Sequence, residues 1–197
     1  MNQEYSKGWY SRGYLPHYDP GSATQFLTCR LFDSLPQKIL ERFRAELEEK
    51  KAEDIEREAM ILIEKFLDSG YGECFLKERK IAEIVRNSLQ TFDGERYRLF
   101  AWVIMPNHVH LLLKPLNGWE LYKILQSFKS FTAQKSNKLL DRNGKFWMRE
   151  YFDRRIRDYE HFEKTLRYIE NNPVKAGFCE TPDNWEFGSA YKGTPSS

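Results

Sequence analysis

The chain has 197 residues, enough for one domain with a real core and too few for two comfortable ones. With 15% aromatic and 30% charged residues it has material for a packed interior and a solvated surface, which argues against disorder. The net charge of +2 hides a division: Glu41 to Glu58 holds eight acids against five bases, whereas Lys114 to Lys175 holds fourteen bases against eight acids.

The basic half is where a nucleic acid is expected. No run of about 18 apolar residues occurs, and the first residues, MNQEYSKGWYSRGYLPHYD, lack the basic-then-apolar build of a leader, so a cytoplasmic protein without membrane contact is expected. Cys29, Cys74 and Cys179 show no C-x-x-C spacing and read as free thiols.

In chain order, Thr24 to Phe32 follows a Pro-Gly-Ser loop and predicts a first strand. A charged helical segment is expected at about 37–67, where thirteen of the eighteen residues from Glu41 to Glu58 are charged and read as a solvated face. Ile81, Ile84, Val85, Leu89 and Phe92 form one stripe of a helix from Phe75 to Phe92. The strands Arg96 to Ile104 and His108 to Lys114 are separated only by Met105, Pro106 and Asn107, which is hairpin spacing. Leu121, Ile124, Leu125, Phe128 and Thr132 mark a third helix, and a short strand is expected near Phe146 to Asp153. The last helix is expected to start near Asp158, to bury Tyr159, Phe162, Leu166 and Ile169, and to stop around Asn171 because Pro173 follows. The order implies an α+β fold in one domain, 1–197: a ferredoxin-like (RRM-like) antiparallel sheet with helices packed on one face.

Two sets of residues carry chemistry. His108 and His110 flank Val109 in a strand, so both imidazoles emerge on one face and can share a metal ion, while Val109, Leu111 and Leu113 pack on the other. The same pattern also suits two half-exposed strand histidines. On the last helix Tyr168 and Asn172 are one turn apart on a stripe about 100° from the apolar one. A flanking tyrosine and a helix-ending asparagine satisfy that spacing equally.

The segments WVIMPNHVHLLLKP and YIENNPVKAG, with GWYSRGYLPHYD, QSFKSFTA and FWMREYFDRRIRD, resemble in order those of the REP-associated tyrosine transposases, single-tyrosine HUH enzymes related to IS200-like insertion-sequence transposases. The acidic segment from Glu41 to Glu58 is the least typical part. The resemblance implies a transposase that cleaves and rejoins single-stranded or hairpin (REP-like) DNA through a 5′-phosphotyrosine, acting as monomer or homodimer. It implies that Tyr168, on the C-terminal helix, is the nucleophile and that His108, His110 and Asn172 hold one Mg²⁺ or Mn²⁺. Lys129, Arg154, Arg155 and Arg157 are expected at phosphates. Arg12, with Trp9, Tyr10, Tyr14 and His17, is expected at unpaired bases or in packing across the fold. His161, two turns before Tyr168, is a candidate to assist the phenol. A hydrolase of the histidine-triad kind wants a histidine where Leu112 stands and has no use for Tyr168 and Asn172. The alternative from another class is a catalytically silent hairpin-binding module.

Overall fold

The computed structural model of the chain describes residues 9–11, 16–18, 23–36, 38, 41, 63–116 and 118–193. Strands β1 (Trp9–Ser11) and β2 (Pro16–Tyr18) form a small antiparallel ladder. Strands β3 (Gln25–Arg30), β4 (Tyr97–Ile104), β5 (His108–Pro115) and β6 (Phe152–Arg155) form an antiparallel sheet in the order β4-β5-β3-β6. The β4–β5 connection is the expected tight hairpin, closed by Met105 N donating to His108 O at 2.9 Å. Helices α1 (Arg79–Thr91), α2 (Leu121–Leu139) and α3 (Tyr159–Lys175) cover the sheet.

Strand alternation divides the core in two. Leu27, Cys29, Leu31, Trp102, Ile104, Val109, Leu111 and Leu113 face α1 and α2. Phe26, Ala101, Val103, Met105, Leu112 and Phe152 face α3, which answers with Ile169, Phe162 and Leu166, whereas Tyr159, expected on the same stripe, is exposed at the first position of the helix. The expectation of helices on one face holds for α1 and α2 and is corrected for α3. The face that carries the histidines is otherwise apolar, and burying it requires a cover that the Ile169 stripe supplies. Cover on both sides is also why every residue of β3 is buried and β5 is buried almost throughout.

Three boundaries differ from the expected ones. Helix α1 starts at Arg79 because Phe75–Lys77 is a 3₁₀ turn and Glu78 is extended. The strand expected from Phe146 begins only at Phe152, since Trp147 makes an isolated bridge to Leu31 and the chain then turns. Helix α3 does not stop at Asn171 but runs through Pro173 to Lys175. Proline removes only the bond to the Ile169 carbonyl, and the last turn stays closed by Ala176 N on Asn172 O at 3.0 Å and Phe178 N on Pro173 O at 2.9 Å. Asn172 therefore keeps its helical place one turn after Tyr168.

Of the charged helix expected at about 37–67, residues 42–62 lie outside the described residues; the segment is helical over 63–68, with Ile63 and Leu67 buried. Gly72, at φ +93°, brings the following turn so close to Asp33 that a Cβ would lie 2.9 Å from its carbonyl oxygen. The Asp33 carboxylate accepts the Glu73 N–H at 2.8 Å, which ties this turn to the end of β3.

Candidate active site

His108 and His110 are both buried on the α3 face of β5. The β3–β5 register sets Thr28 opposite His110, and its Oγ1 lies 2.9 Å from His110 Nδ1. His108 Nδ1 lies 2.8 Å from Asn107 Oδ1. The amide of Asn107 is oriented by its Nδ2, which donates to the carbonyls of Leu67 at 3.2 Å and Tyr71 at 3.0 Å. An amide oxygen only accepts, so His108 carries its hydrogen on Nδ1 and leaves Nε2 bare. Thr28 accepts or donates, so His110 can present a bare Nε2 as well. The two Nε2 atoms face each other at 3.1 Å.

Burial, reinforced by the Lys175 charge, pushes His108 down to about 3 and His110 well below the usual imidazole value. Both rings are therefore neutral at physiological pH, which is the metal-ligating form.

Asp158 caps α3, its carboxylate accepting His161 N at 2.7 Å. From that start the helix carries Tyr168 over the histidines: its ring lies 5.5 Å from His110, and both pack on Phe26, at 5.8 and 5.3 Å between centroids. Asn172 Nδ2 makes a long contact, 3.4 Å, with the Tyr168 hydroxyl, while its Oδ1 is buried without a hydrogen-bond partner. The structure thus brings together all four residues expected from the two motifs.

Sequence reasoning missed a fifth. Glu64, in the helical segment 63–68, lies near enough for its charge to act on the Tyr168 phenol, and its Oε1 is buried and unpartnered. Burial and the nearby Glu64 charge hold the phenol well above its usual range, and burial likewise raises Glu64. Thr28 and Asn107 were missed as well, although strand pairing and the position beside His108 were readable signals for both. Glu64 is the one acid in the apolar run Ala59 to Leu67, a local signal that the sequence reading did not use.

The expected DNA contacts divide. Arg154, on the α3 face of β6, and Arg157 line a cavity of about 480 Å³ with Phe26, His161, Lys164 and Tyr168. Arg155 falls on the opposite side of the strand by alternation and is not part of that lining. Lys129 departs from the expectation. It is half-buried and donates to the carbonyls of Met148 at 3.0 Å, Arg149 at 3.2 Å and Glu150 at 3.4 Å, so its amine holds the chain before β6. His161 accepts Arg157 N on its Nδ1 at 3.3 Å and shares the cavity with Tyr168. Arg12 and Tyr14 lie outside the described residues, and of Trp9, Tyr10 and His17 only the backbone, in the β1–β2 ladder, is described.

A family model described as "Transposase IS200 like" matches residues 73–172, a stretch that contains both histidines, the tyrosine and the amide. The chain belongs to the IS200-like transposase family. Two relatives named as REP-associated tyrosine transposases are similar to this family member. The one from Haemophilus influenzae is 28% identical over 113 residues, 52% of this chain and 64% of the relative. The one from Escherichia coli is 24% identical over 113 residues, 56% of this chain and 65% of the relative. In both cases the similarity spans less than two thirds of the relative. A REP-associated tyrosine transposase solved bound to a REP hairpin shares the fold, with a TM-score of 0.50 at 17% identity over 91% of this chain and 81% of that one. Among the described residues, no helix of this IS200-like chain is long and apolar enough to cross a membrane.

Proposed function

We propose that this chain is a metal-dependent single-strand DNA transposase that cuts and rejoins DNA at hairpin elements, with Tyr168 as the nucleophile. The observation that carries the reading is the packing of the Tyr168 ring 5.5 Å from the ring of His110, whose Nε2 faces that of His108 at 3.1 Å.

A divalent ion fits the donors present. Among the described residues no three His, Cys, Asp or Glu side chains cluster as a metal cage. The candidate third donor, in addition to the two imidazoles, is Asn172 Oδ1, a buried oxygen that lacks a hydrogen-bond partner. The 3.1 Å between imidazole nitrogens is close to the spacing of about 3 Å between adjacent ligands of an octahedral ion with bonds of about 2.1 Å. Mixed nitrogen and oxygen donors suit Mn²⁺ as well as Mg²⁺. When bound, such an ion polarises a phosphodiester and stabilises charge on its oxygens.

The chain's own residues supply the rest. Thr28 and Asn107 fix the two rings, Phe26 holds the phenol beside them, and the Tyr168 oxygen attacks phosphorus. The 5′ phosphate stays on Tyr168, a 3′ hydroxyl leaves, and reversal with another 3′ hydroxyl joins new ends without an external energy source. The cavity beside Tyr168 gives the strand a path, with Arg154 and Arg157 at its phosphates. The relatives named for REP elements, and the fold neighbour solved with a REP hairpin, support a hairpin as the DNA partner.

The test is incubation with Mn²⁺ and a labelled pool of DNA hairpins carrying single-stranded arms. A denaturant-resistant protein–DNA adduct, absent in Tyr168→Phe, is expected. Tight hairpin binding with no adduct in Mg²⁺ or Mn²⁺ would instead establish a silent binding module.

A further inference from the structure

Two basic side chains beside Tyr168 stand without a counter-charge. Arg154 of β6 and Arg157, between β6 and α3, line the cavity of about 480 Å³ that ends on Tyr168, and among the described residues neither guanidinium makes a hydrogen bond or an ion pair. The two carboxylates of the same lining are already engaged: Asp158 accepts His161 N at 2.7 Å, and Glu160 pairs with Lys164. The cavity is left with positive charge facing water, which suits an anion.

His161 adds a donor of a different kind. The helical repeat sets His161, Thr165 and Tyr168 on one stripe of α3 along this cavity. The Nδ1 atom of His161 accepts the backbone N–H of Arg157 at 3.3 Å. A ring nitrogen that accepts is bare, so the neutral imidazole carries its hydrogen on Nε2. Burial, reinforced by the Arg154 charge, lowers the proton affinity of the ring and keeps this neutral form at physiological pH. Among the described residues nothing else bonds to the ring, and Nε2–H is a free donor at the cavity wall. The same tautomer sets aside a role for His161 as proton acceptor for the phenol, because its one bare nitrogen is taken by Arg157.

We infer that His161 is a further DNA-binding residue of the strand-transfer site proposed above: its Nε2–H donates to a non-bridging oxygen of a phosphodiester that neighbours the attacked one along the strand, in the cavity where Arg154 and Arg157 supply the charge. Position decides which phosphate it meets. His161 precedes Tyr168 by two helical turns, about 10 Å along the axis, too far to reach the phosphorus that bonds to the phenol oxygen. A strand held in the cavity carries a neighbouring phosphate past His161 instead. The guanidinium charges attract a phosphate from a distance, whereas a neutral N–H acts only at contact and along one direction. His161 thereby sets the register of the strand over Tyr168 and adds no charge of its own.

The inference rests on the reading of this cavity as the path of the strand, and two readouts keep the claims apart. Wild type, Tyr168→Phe, His161→Asn and His161→Gln are compared on a fluorescent pool of DNA hairpins with randomised single-stranded arms. Asparagine keeps an acceptor where Nδ1 stood and removes the Nε2 donor; glutamine returns an N–H to the place of Nε2. Affinity is measured by anisotropy across a salt series, adduct formation by single-turnover kinetics in Mn²⁺ at rising protein concentration, and folding by thermal melting. His161→Asn is expected to bind the pool about 10-fold more weakly, with an unchanged salt slope because a neutral donor displaces no counterion. Its rate of adduct formation at saturation is expected to stay within about 2-fold of wild type, and His161→Gln to recover most of the affinity. An asparagine variant that binds within about 2-fold of wild type overturns the inference, as does a salt slope lowered by about 0.7. Equal losses in the glutamine and asparagine variants, or losses that track a lower melting temperature in both, overturn it too. A wild type that binds the pool and forms no adduct overturns Tyr168 as the nucleophile while the His161 variants still decide the contact, and a wild type that binds no hairpin overturns both.

Discussion

Asn107 Oδ1 accepts the Nδ1 hydrogen of His108 at 2.8 Å, and the same side chain donates to two carbonyls of the segment that bears Glu64. One amide thus sets the tautomer of a ring proposed to hold the metal and ties down the segment that bears Glu64. Asn107→Ala is expected to weaken Mn²⁺ binding by about 10-fold to 100-fold, the usual cost of losing a group that orients a ligand. Titration followed by electron paramagnetic resonance reads the effect, and an unchanged affinity would show that the ring needs no such anchor.

Thr28 plays the matching part for His110, across the β3–β5 register. Thr28→Val keeps the shape and removes the hydroxyl, leaving a buried Nδ1 without its partner. A stability loss of about 1–3 kcal/mol, together with weaker Mn²⁺ binding, is expected. Chemical denaturation checks the first; Thr28→Ser, which restores the hydroxyl, is expected to recover most of both.

The buried histidines make the metal-free fold sensitive to acid. Their folded values lie below the unfolded value near 6.5, so the unfolded chain binds more protons as pH falls, and stability present above pH 6.5 is lost on the way down toward about 3. Glu64, raised by burial, acts in the opposite sense but is one group against two. A drop in Tm of about 5 °C or more between pH 7 and pH 5 is expected from two such rings. A melting series in the presence of a chelator tests it, and a Tm that rises over that interval would contradict the burial of neutral rings.

Gly72 holds the Glu64 segment down through its close approach to Asp33, at a backbone angle of +93°. Gly72→Ala is expected to cost about 1–3 kcal/mol, from the unfavourable angle plus the contact that must open. Urea denaturation gives the number. Adduct formation should fall with it, because the same turn positions the segment beside Tyr168.

Arg154 and Arg157 line the cavity that ends on Tyr168. If each meets a phosphate, Arg154→Ala and Arg157→Ala should each lower the salt slope of single-strand binding by about 0.7. Fluorescence anisotropy across a salt series reads that slope. Lys129→Ala is expected to destabilise the chain without changing it, since its amine is spent on three carbonyls.

Much of this site was legible in the residues alone because it is built on two regular periods. Alternation along β5 sent both imidazoles to one face, and the helical repeat put Tyr168 and Asn172 on one stripe; both are local rules. The helix stop at Asn171 misfired because one lost hydrogen bond at Pro173 is tolerated in a buried, well-packed turn. The placement of α3 opposite α1 and α2 was not legible, since periodicity shows that a helix has an apolar stripe and not which side of a sheet receives it. Glu64 escaped for a related reason. It comes near Tyr168 from about a hundred residues earlier in the chain, in the apolar run that follows the charged stretch, and only the packing of Ile63 and Leu67 shows which side of that run turns inward.

The most direct measurement is mass spectrometry of the protein after reaction with hairpin DNA and Mn²⁺, followed by nuclease trimming and trypsin. Cleavage after Arg167 and Lys175 releases the peptide YIENNPVK, which begins at Tyr168 and contains no other tyrosine. A phosphate-linked nucleotide mass on Tyr168 is the result predicted. Strand cleavage with the nucleotide on another residue, or with no residue modified, would contradict the account.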